Sequence, residues 1–181
     1  MDTSPFHQKY FIIARNIWYN VAMKITILCE GKVKEKFYQE AIKEFEKRLS
    51  RYCKLSIVEV ADEKTQERAS DTEISIVKDR EGERLLKYIR EDGYVICLAI
   101  NGKELNSVEL SKKMEALCVG GYGQIYFVIG GSLGLSDEVL KRADYHLSFS
   151  RMTFPHQLMR VILLEQIYRS FRISNNEPYH K

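Results

Sequence analysis

The sequence lacks several features that would assign it to a common class of protein. No apolar run approaches the roughly 20 residues that a membrane-spanning helix requires. Neither sign of charge dominates, because the formal net charge is only +3, so overall charge does not identify a nucleic-acid-binding protein. The four cysteines, at positions 29, 53, 97 and 118, form no CxxC pair and no metal-type spacing. We therefore expect free thiols, no metal site and a reducing, cytoplasmic location.

The known nucleotide-binding motifs are absent as well. The glycines of Gly130–Gly134 do not have the GxGxxG spacing, and they follow the fourth predicted strand rather than the first. No Gly-Lys-Ser or Gly-Lys-Thr follows them, so the segment is not a phosphate-binding P-loop. These absences exclude a Rossmann dehydrogenase and a P-loop enzyme.

The composition that is present is typical of a single globular domain. Of 181 residues, 45% are hydrophobic and 29% charged, which suffices for a core without disulfides. The C-terminal part, residues 141–181, carries seven Lys and Arg against three Asp and Glu. This distribution is consistent with an anionic partner and equally with a solvated basic surface.

The first 22 residues differ from the rest. They are aromatic and irregular, and they precede the apolar segment from Met23, which is typical of a first strand. We expect residues 1–22 to be an extension outside the domain and residues 23–181 to form one domain. The alternative is a short helix that docks through Phe11, Ile12, Ile17 and Trp18.

From Met23 onward, strand-like and helix-like segments alternate. This pattern predicts an α/β fold with a mostly parallel sheet and helices on both faces. The predicted strands are 24–28, 55–60, 94–100, 124–129 and 145–149. The predicted helices are 34–52, 73–91, 107–119, 136–142 and 155–173. The third strand has no charge over seven residues and should be central, with 101–103 ending it and Ser107 capping the next helix.

Two loops follow predicted strands and could form a ligand site. Gly130, Gly131 and Gly134 come directly after the fourth strand, and glycine permits both positive φ and close approach of a ligand. Residues 150–153 follow the fifth strand and end at Phe154-Pro155. Because open α/β sheets bind ligands at the carboxyl ends of their strands, we expect both loops to meet there.

The last predicted helix is apolar on more than one side. Its apolar residues between Leu158 and Phe171 form a stripe too wide for one sheet face. We therefore predict a homodimer through this helix. The alternative is a central core helix in a monomer.

Several longer motifs together resemble one known family. They are MKITIL at 23–28, LAINGK at 98–103, FVIGGSLGL at 127–135, LSFSRMTFPHQLMRVILLEQIYR at 147–169, and the closing residues 178–181. In this set the chain resembles the SPOUT class of methyltransferases, and in particular the ribosomal RNA large subunit methyltransferase H family. The resemblance implies a C-terminal trefoil knot, an obligate homodimer and S-adenosyl-L-methionine as methyl donor. It also implies methylation of N3 of a pseudouridine in large-subunit ribosomal RNA within the assembled ribosome.

The resemblance also suggests site residues. The cofactor-binding candidates are Leu98, Gly130, Phe149, Ser150, Arg151, Met152, Thr153 and Phe154. For catalysis it suggests His180 as general base, with His156 as a weaker candidate, and Tyr179 to orient or stack on the base. Arg151 would position an RNA phosphate.

Three other functions remain open from the sequence. A different SPOUT enzyme would use the same fold and cofactor on transfer RNA or another ribosomal position. A ribosome-associated factor could keep the fold without catalysis. A flavodoxin-like module would instead bind a small ligand.

Overall fold

The structure is a computed structural model that describes residues 23–179, except residues 65 and 67. Strands and helices alternate along this part of the chain, as predicted. The elements are β1 (Lys24–Glu30), α1 (Lys36–Leu49), β2 (Lys54–Val60), α2 (Asp71–Leu86), β3 (Tyr94–Glu104), α3 (Ser107–Val119), β4 (Gln124–Ile129), α4 (Asp137–Arg142), β5 (Tyr145–Ser148) and α5 (His156–Ser174). The predictions for residues 1–22 and for His180 lie outside the described residues.

The five strands form one parallel sheet in the order β2-β1-β4-β3-β5. The predicted parallel α/β fold is therefore confirmed. The strand β3 lies inside the sheet, and Val95, Ile96 and Cys97 are all fully buried, which confirms its predicted central position. The trefoil knot that the resemblance implies stays a prediction.

Helices cover both faces of the sheet. On one face, alternate strand residues such as Ile27 and Phe127 pack in one core cluster with residues of α1, α3 and α5. On the other face, Leu28 and Val128 pack with residues of α2 and α4. Because side chains of a strand point alternately to the two faces, β1, β2, β3 and β4 contribute residues to both cores, whereas β5 contributes only to the first.

The predicted cap of one helix and the predicted start of another were wrong. The helix α3 is capped by Asn106, not Ser107, through a reciprocal capping box with Glu109. The helix α2 begins at Asp71 because Ser70 and Glu73 form a second capping box. The loop predicted over 61–72 therefore ends earlier than expected.

The strand β3 also continues beyond its predicted end at Ile100. Its pairing with β5 is interrupted: Leu98 and Lys103 both face Leu147, so residues 99–102 bulge out of the ladder. A Cβ on Gly102 would lie 2.8 Å from the carbonyl carbon and oxygen of His146. Only glycine therefore lets the bulge pass this close to β5, and the bulge faces the carboxyl edge of the sheet.

Candidate functional site

A cavity of about 870 Å³ opens at the carboxyl ends of β3, β4 and β5. Its size is that of a small-molecule site. Three segments line it: residues 98–102 of the β3 bulge, residues 129–135 after β4, and most of residues 149–156 after β5. The two loops expected to meet at this edge are thus brought together, and the β3 bulge forms a third wall.

The wall after β4 is a tight glycine turn. Gly134 has φ +80, and its N–H donates to the Gly131 carbonyl at 3.3 Å. A Cβ on Gly130 would lie 2.9 Å from the carbonyl carbon of Gly134, so the turn folds back onto its own first residue. Larger residues at 130 and 134 would break this turn, which presents backbone rather than side chains to the cavity.

The wall after β5 is held by serine hydroxyls. The Ser148 hydroxyl donates to the Ser150 carbonyl at 3.2 Å, and the Met152 N–H donates to the Ser150 hydroxyl at 3.0 Å. These local bonds are typical of serine turns. They reverse the chain before Pro155, whose carbonyl accepts the first N–H bond of α5, from Met159.

Most predicted cofactor-binding residues lie on the cavity. The seven that line it are Leu98, Gly130, Phe149, Ser150, Met152, Thr153 and Phe154. Leu98 and Phe149 also pack against the core, so they serve both packing and the cavity. Arg151 is exposed and does not line the cavity. The walls are chiefly apolar side chains and backbone, which suits a ligand held by stacking and by backbone hydrogen bonds.

Two histidines of the described residues, His146 and His156, line the cavity. His146 is engaged, since its Nε2 donates to the Leu140 carbonyl at 2.9 Å. His156 starts α5, and burial, with help from the charges of Arg160 and Lys34, lowers its pKa below the usual range. The imidazole of His156 is therefore neutral at pH 7 and can accept a proton.

The C-terminal tail lies against α5, away from the cavity of its own chain. The Tyr179 ring packs edge-on against Tyr168 at 5.1 Å, under the Arg169 guanidinium at 4.7 Å. Glu177 accepts from the Tyr52 hydroxyl at 2.6 Å. Tyr168 is nine residues beyond Met159, the last cavity residue of α5, or about 14 Å along the helix. Tyr179 thus lies outside the cavity of its own chain.

One buried residue next to the cavity was missed by sequence reasoning. Glu30 ends β1, is only 1% exposed, and accepts a hydrogen bond from the Gly131 N–H through Oε2. A signal was present, because an acid directly follows the apolar strand ending at Cys29 and points to the same sheet edge. The strand had been predicted to end at Leu28, which placed Glu30 in a loop.

Arg160 fixes α5 beside this edge. Its side chain is 1% exposed, forms an ion pair with Glu59 at 2.5 Å, and donates to the carbonyls of Glu30 and Gly31 at 2.7 Å each. The two terminal nitrogens of the guanidinium therefore join α5 to the ends of β1 and β2. This contact sets the position of His156, one helical turn earlier.

Within 23–179, leaving out 65 and 67, no group of three or more His, Cys, Asp and Glu is arranged to hold a metal ion. Over the same residues, no helix is long and apolar enough to cross a membrane.

The family model and the curated relatives that match this chain point to one family. Residues 23–180 match the family described as "Predicted SPOUT methyltransferase". A protein of Clostridioides difficile (strain 630) named "Ribosomal RNA large subunit methyltransferase H" is 61% identical over 159 residues, covering 88% of this chain and all of the relative. A relative of the same name from Bifidobacterium adolescentis is 62% identical with the same coverage. A solved "probable methylase family protein" from Haemophilus influenzae covers 84% of this chain and 66% of its own, at 17% identity and a TM-score of 0.45.

Proposed function

Because the chain belongs to the SPOUT methyltransferase family, we propose that it methylates N3 of a pseudouridine in large-subunit ribosomal RNA. The methyl donor is S-adenosyl-L-methionine. The observation that carries the proposal is the cavity, in which the glycine turn and the serine turn of the shared motifs meet. Identity above 60% to relatives named for this RNA supports the substrate class.

The cavity has the chemistry to hold this donor. Gly130 and Gly134 form a stretch of the cavity wall that has no side chains, and the apolar side chains of Leu98, Phe149 and Phe154 are suited to the adenosine portion. S-adenosyl-L-methionine supplies a methyl group on a positively charged sulfur. The protein has to orient this methyl group toward the RNA and exclude water, so positioning provides most of its catalytic effect.

The acceptor nitrogen must also lose its proton. His156 lies on the cavity wall, and its lowered pKa keeps the imidazole neutral and able to accept a proton. We therefore propose His156 as a general base beside His180, which the resemblance suggests. Arg160, one turn along α5, holds the helix in place and by its charge favours the neutral form of His156.

A homodimer would explain how the tail contributes. Leu158, Val161 and Ile162 of α5 remain partly exposed in the single chain, as expected of a helix that packs on a second copy. The tail of each protomer is docked about 14 Å along α5 from its own cavity. We therefore assign any action of Tyr179 and His180 to the cavity of the partner protomer.

The substrate is proposed to be the assembled ribosome in the cytoplasm. A protein of net charge +3 offers few of the phosphate contacts that tight binding of free RNA requires. A shaped ribosomal surface provides further contacts. Arg151, exposed next to the cavity-lining Met152 and Ser150, is positioned to bind a phosphate beside the target base.

The proposal is tested by transfer of labelled methyl from S-adenosyl-L-methionine. Three substrates are compared: ribosomes that lack the modification, free large-subunit RNA, and transfer RNA. We expect label in ribosomes alone, mapped by mass spectrometry to one pseudouridine. Label in transfer RNA would contradict the proposed substrate but would agree with the proposed methyl donor. Absence of label in every substrate would indicate a ribosome-associated factor, which should also fail to bind S-adenosyl-L-methionine in calorimetry.

A further inference from the structure

Glu30 occupies an unusual place for a carboxyl group. It ends β1, which is hydrogen-bonded to β4 in the middle of the sheet, and its side chain is buried to 1% exposure. One oxygen, Oε2, accepts the Gly131 N–H. The other, Oε1, is buried with no hydrogen-bond partner of ordinary geometry among the described residues. A buried oxygen without a partner is costly unless it carries a proton or meets one.

A second buried carboxyl belongs to the same cluster. Glu81 of α2 is 4% exposed, and its Oε1 accepts the Glu63 N–H at 2.8 Å. Burial first, and then the charge and hydrogen bonding of Glu81, raise the pKa of Glu30 to about 8, against the opposing effect of the Gly131 N–H. Burial also raises the pKa of Glu81. Two such carboxyls share a proton at neutral pH rather than both ionising.

The surrounding charges do not neutralise the pair. Lys78 of α2 interacts with Glu30 only weakly. Arg160 of α5 is committed to Glu59 and to backbone carbonyls. Asp62 and Glu63, in the segment before α2, add negative charge near Glu81. A proton is therefore what allows the two carboxyls to remain buried together.

The contact with Gly131 connects this pair to the cavity. Gly131 lines the cavity, and a Cβ placed on it would lie 2.9 Å from Glu30 Oε2. The carboxyl thus contacts the glycine turn without itself lining the cavity. We propose that Glu30 is a positioning residue for the cofactor: it holds the Gly131 N–H and, through a proton shared with Glu81, ties the glycine turn to α2.

The positioning role of Glu30 should weaken as the pH rises. It rests on the proposed function because it concerns binding of the methyl donor. Below pH 8 the pair carries one negative charge and supports the turn. As pH rises through about 8 the shared proton is lost, two charges repel in a buried site, and the support of Gly131 weakens. Affinity for the cofactor product should then fall, by at most about tenfold for each pH unit above this point.

The test measures binding of S-adenosylhomocysteine by calorimetry at pH 7, 8 and 9. Three variants are compared with the wild type: Glu30→Gln, Glu30→Ala and Glu138→Gln. The amide that Glu30→Gln introduces can accept from Gly131 and donate to Glu81, with no proton to lose in this range. Glu138 is an exposed carboxylate paired with Lys141 on the nearby α4 and is the matched control. Melting temperatures show that each variant is folded.

Between pH 7 and 9, we expect the affinity of wild type and of Glu138→Gln for S-adenosylhomocysteine to fall by about three- to tenfold more than the affinity of Glu30→Gln does. Glu30→Gln should bind as the wild type does at pH 7, and Glu30→Ala about tenfold more weakly. Superimposable pH profiles of wild type and Glu30→Gln would overturn the shared proton. Unchanged affinity in folded Glu30→Ala would overturn the positioning role.

A second measurement separates this inference from the function. Exchange of the Gly131 amide hydrogen, followed by NMR in the ligand-free protein, reports its hydrogen bond directly. We expect about tenfold faster exchange in Glu30→Ala than in wild type and Glu30→Gln. If Glu30→Ala does not fold, exchange of the Gly131 amide is compared with that in an unstructured peptide. Protection in both wild type and Glu30→Gln supports the contact, and exchange as fast as in the peptide contradicts it. If the wild type binds no S-adenosylhomocysteine at any pH, the proposed function fails and the exchange result stands on its own.

Discussion

Replacing Arg160 by methionine should destabilise the fold more than any other single charge deletion on α5. The change keeps the apolar stem and removes the guanidinium. It leaves the carbonyls of Glu30 and Gly31 without their donor, and Glu59 without its ion pair. All three groups lie at the ends of β1 and β2, beside the cavity.

The magnitude follows from the burial of each group. Removing one partner of a buried ion pair costs about 3–5 kcal/mol. The Glu59 side chain is 31% exposed, so water can solvate its carboxylate after the change, and we take the lower value, about 3 kcal/mol. In a chain of this size each kcal/mol lowers Tm by about 2–4 °C, which predicts a fall of about 6–12 °C.

The assay is urea and thermal unfolding followed by circular dichroism, with Arg90→Met as the matched control. Arg90 also binds a carboxylate, forming two bonds of 3.0 Å to Asp92, but both side chains are more than 60% exposed. The control should lose less than about 1 kcal/mol. A loss for Arg160→Met no larger than that of the control would refute the assignment of Arg160 as the link between α5 and the sheet.

The other predictions concern the site and its surroundings. His156→Ala should lower kcat with little change in S-adenosylhomocysteine affinity. Because the pKa of His156 is lowered, wild-type activity that depends on its neutral imidazole should persist below pH 6.5, and a sharp loss at pH 6.5 would contradict this. Gly102→Ala should cost about 1–3 kcal/mol or more in urea unfolding because its Cβ would meet the His146 backbone at 2.8 Å, whereas Gly123→Ala, with nothing within 4 Å, should be nearly neutral. Truncation after Asn176 should leave S-adenosylhomocysteine binding intact and abolish methyl transfer; unchanged turnover would remove the tail from the mechanism. Arg151→Ala should weaken ribosome binding and reduce its salt dependence by about one ion, with cofactor affinity unchanged.

Much of the fold could be predicted because its signals are local. The apolar strands and the 3.6-residue period of the helices gave the order of elements, and β4 and α3 have the predicted bounds. The cap of α3 and the start of α2 were predicted wrongly because each depends on a single side chain. Asn106 and Ser70 cap their helices through contacts three residues ahead, and several candidates for such a role occur in each loop.

The site was predictable in part for the same reason. Glycine and serine turns are local, so Gly130 and Ser150 could be placed at the carboxyl edge of the sheet from the pattern alone. The bulge at residues 99–102 could not, because it depends on the close approach of Gly102 to β5. Glu30 was missed because its role comes from Gly131, 101 residues along the chain.

The C-terminal tail shows a different limit of prediction from sequence. The motif ending at Lys181 suggests a catalytic role for the tail, which stays a prediction, and Tyr179 packs on α5 of its own chain through Tyr168 and Arg169. Sequence similarity indicates that such a segment is used but does not specify which protomer's cavity it serves. A mixture of a tail-truncated variant and a His156→Ala variant addresses this, since mixed dimers should regain activity if the tail acts across the interface.

The most direct test of the central claim, that the methyl donor binds at the carboxyl edge of β3, β4 and β5, is hydrogen–deuterium exchange with and without S-adenosylhomocysteine. The account predicts protection in three peptides, covering residues 98–102, 129–135 and 149–156. Protection at the opposite edge of the sheet instead, around residues 91–94 and 120–124, would contradict it.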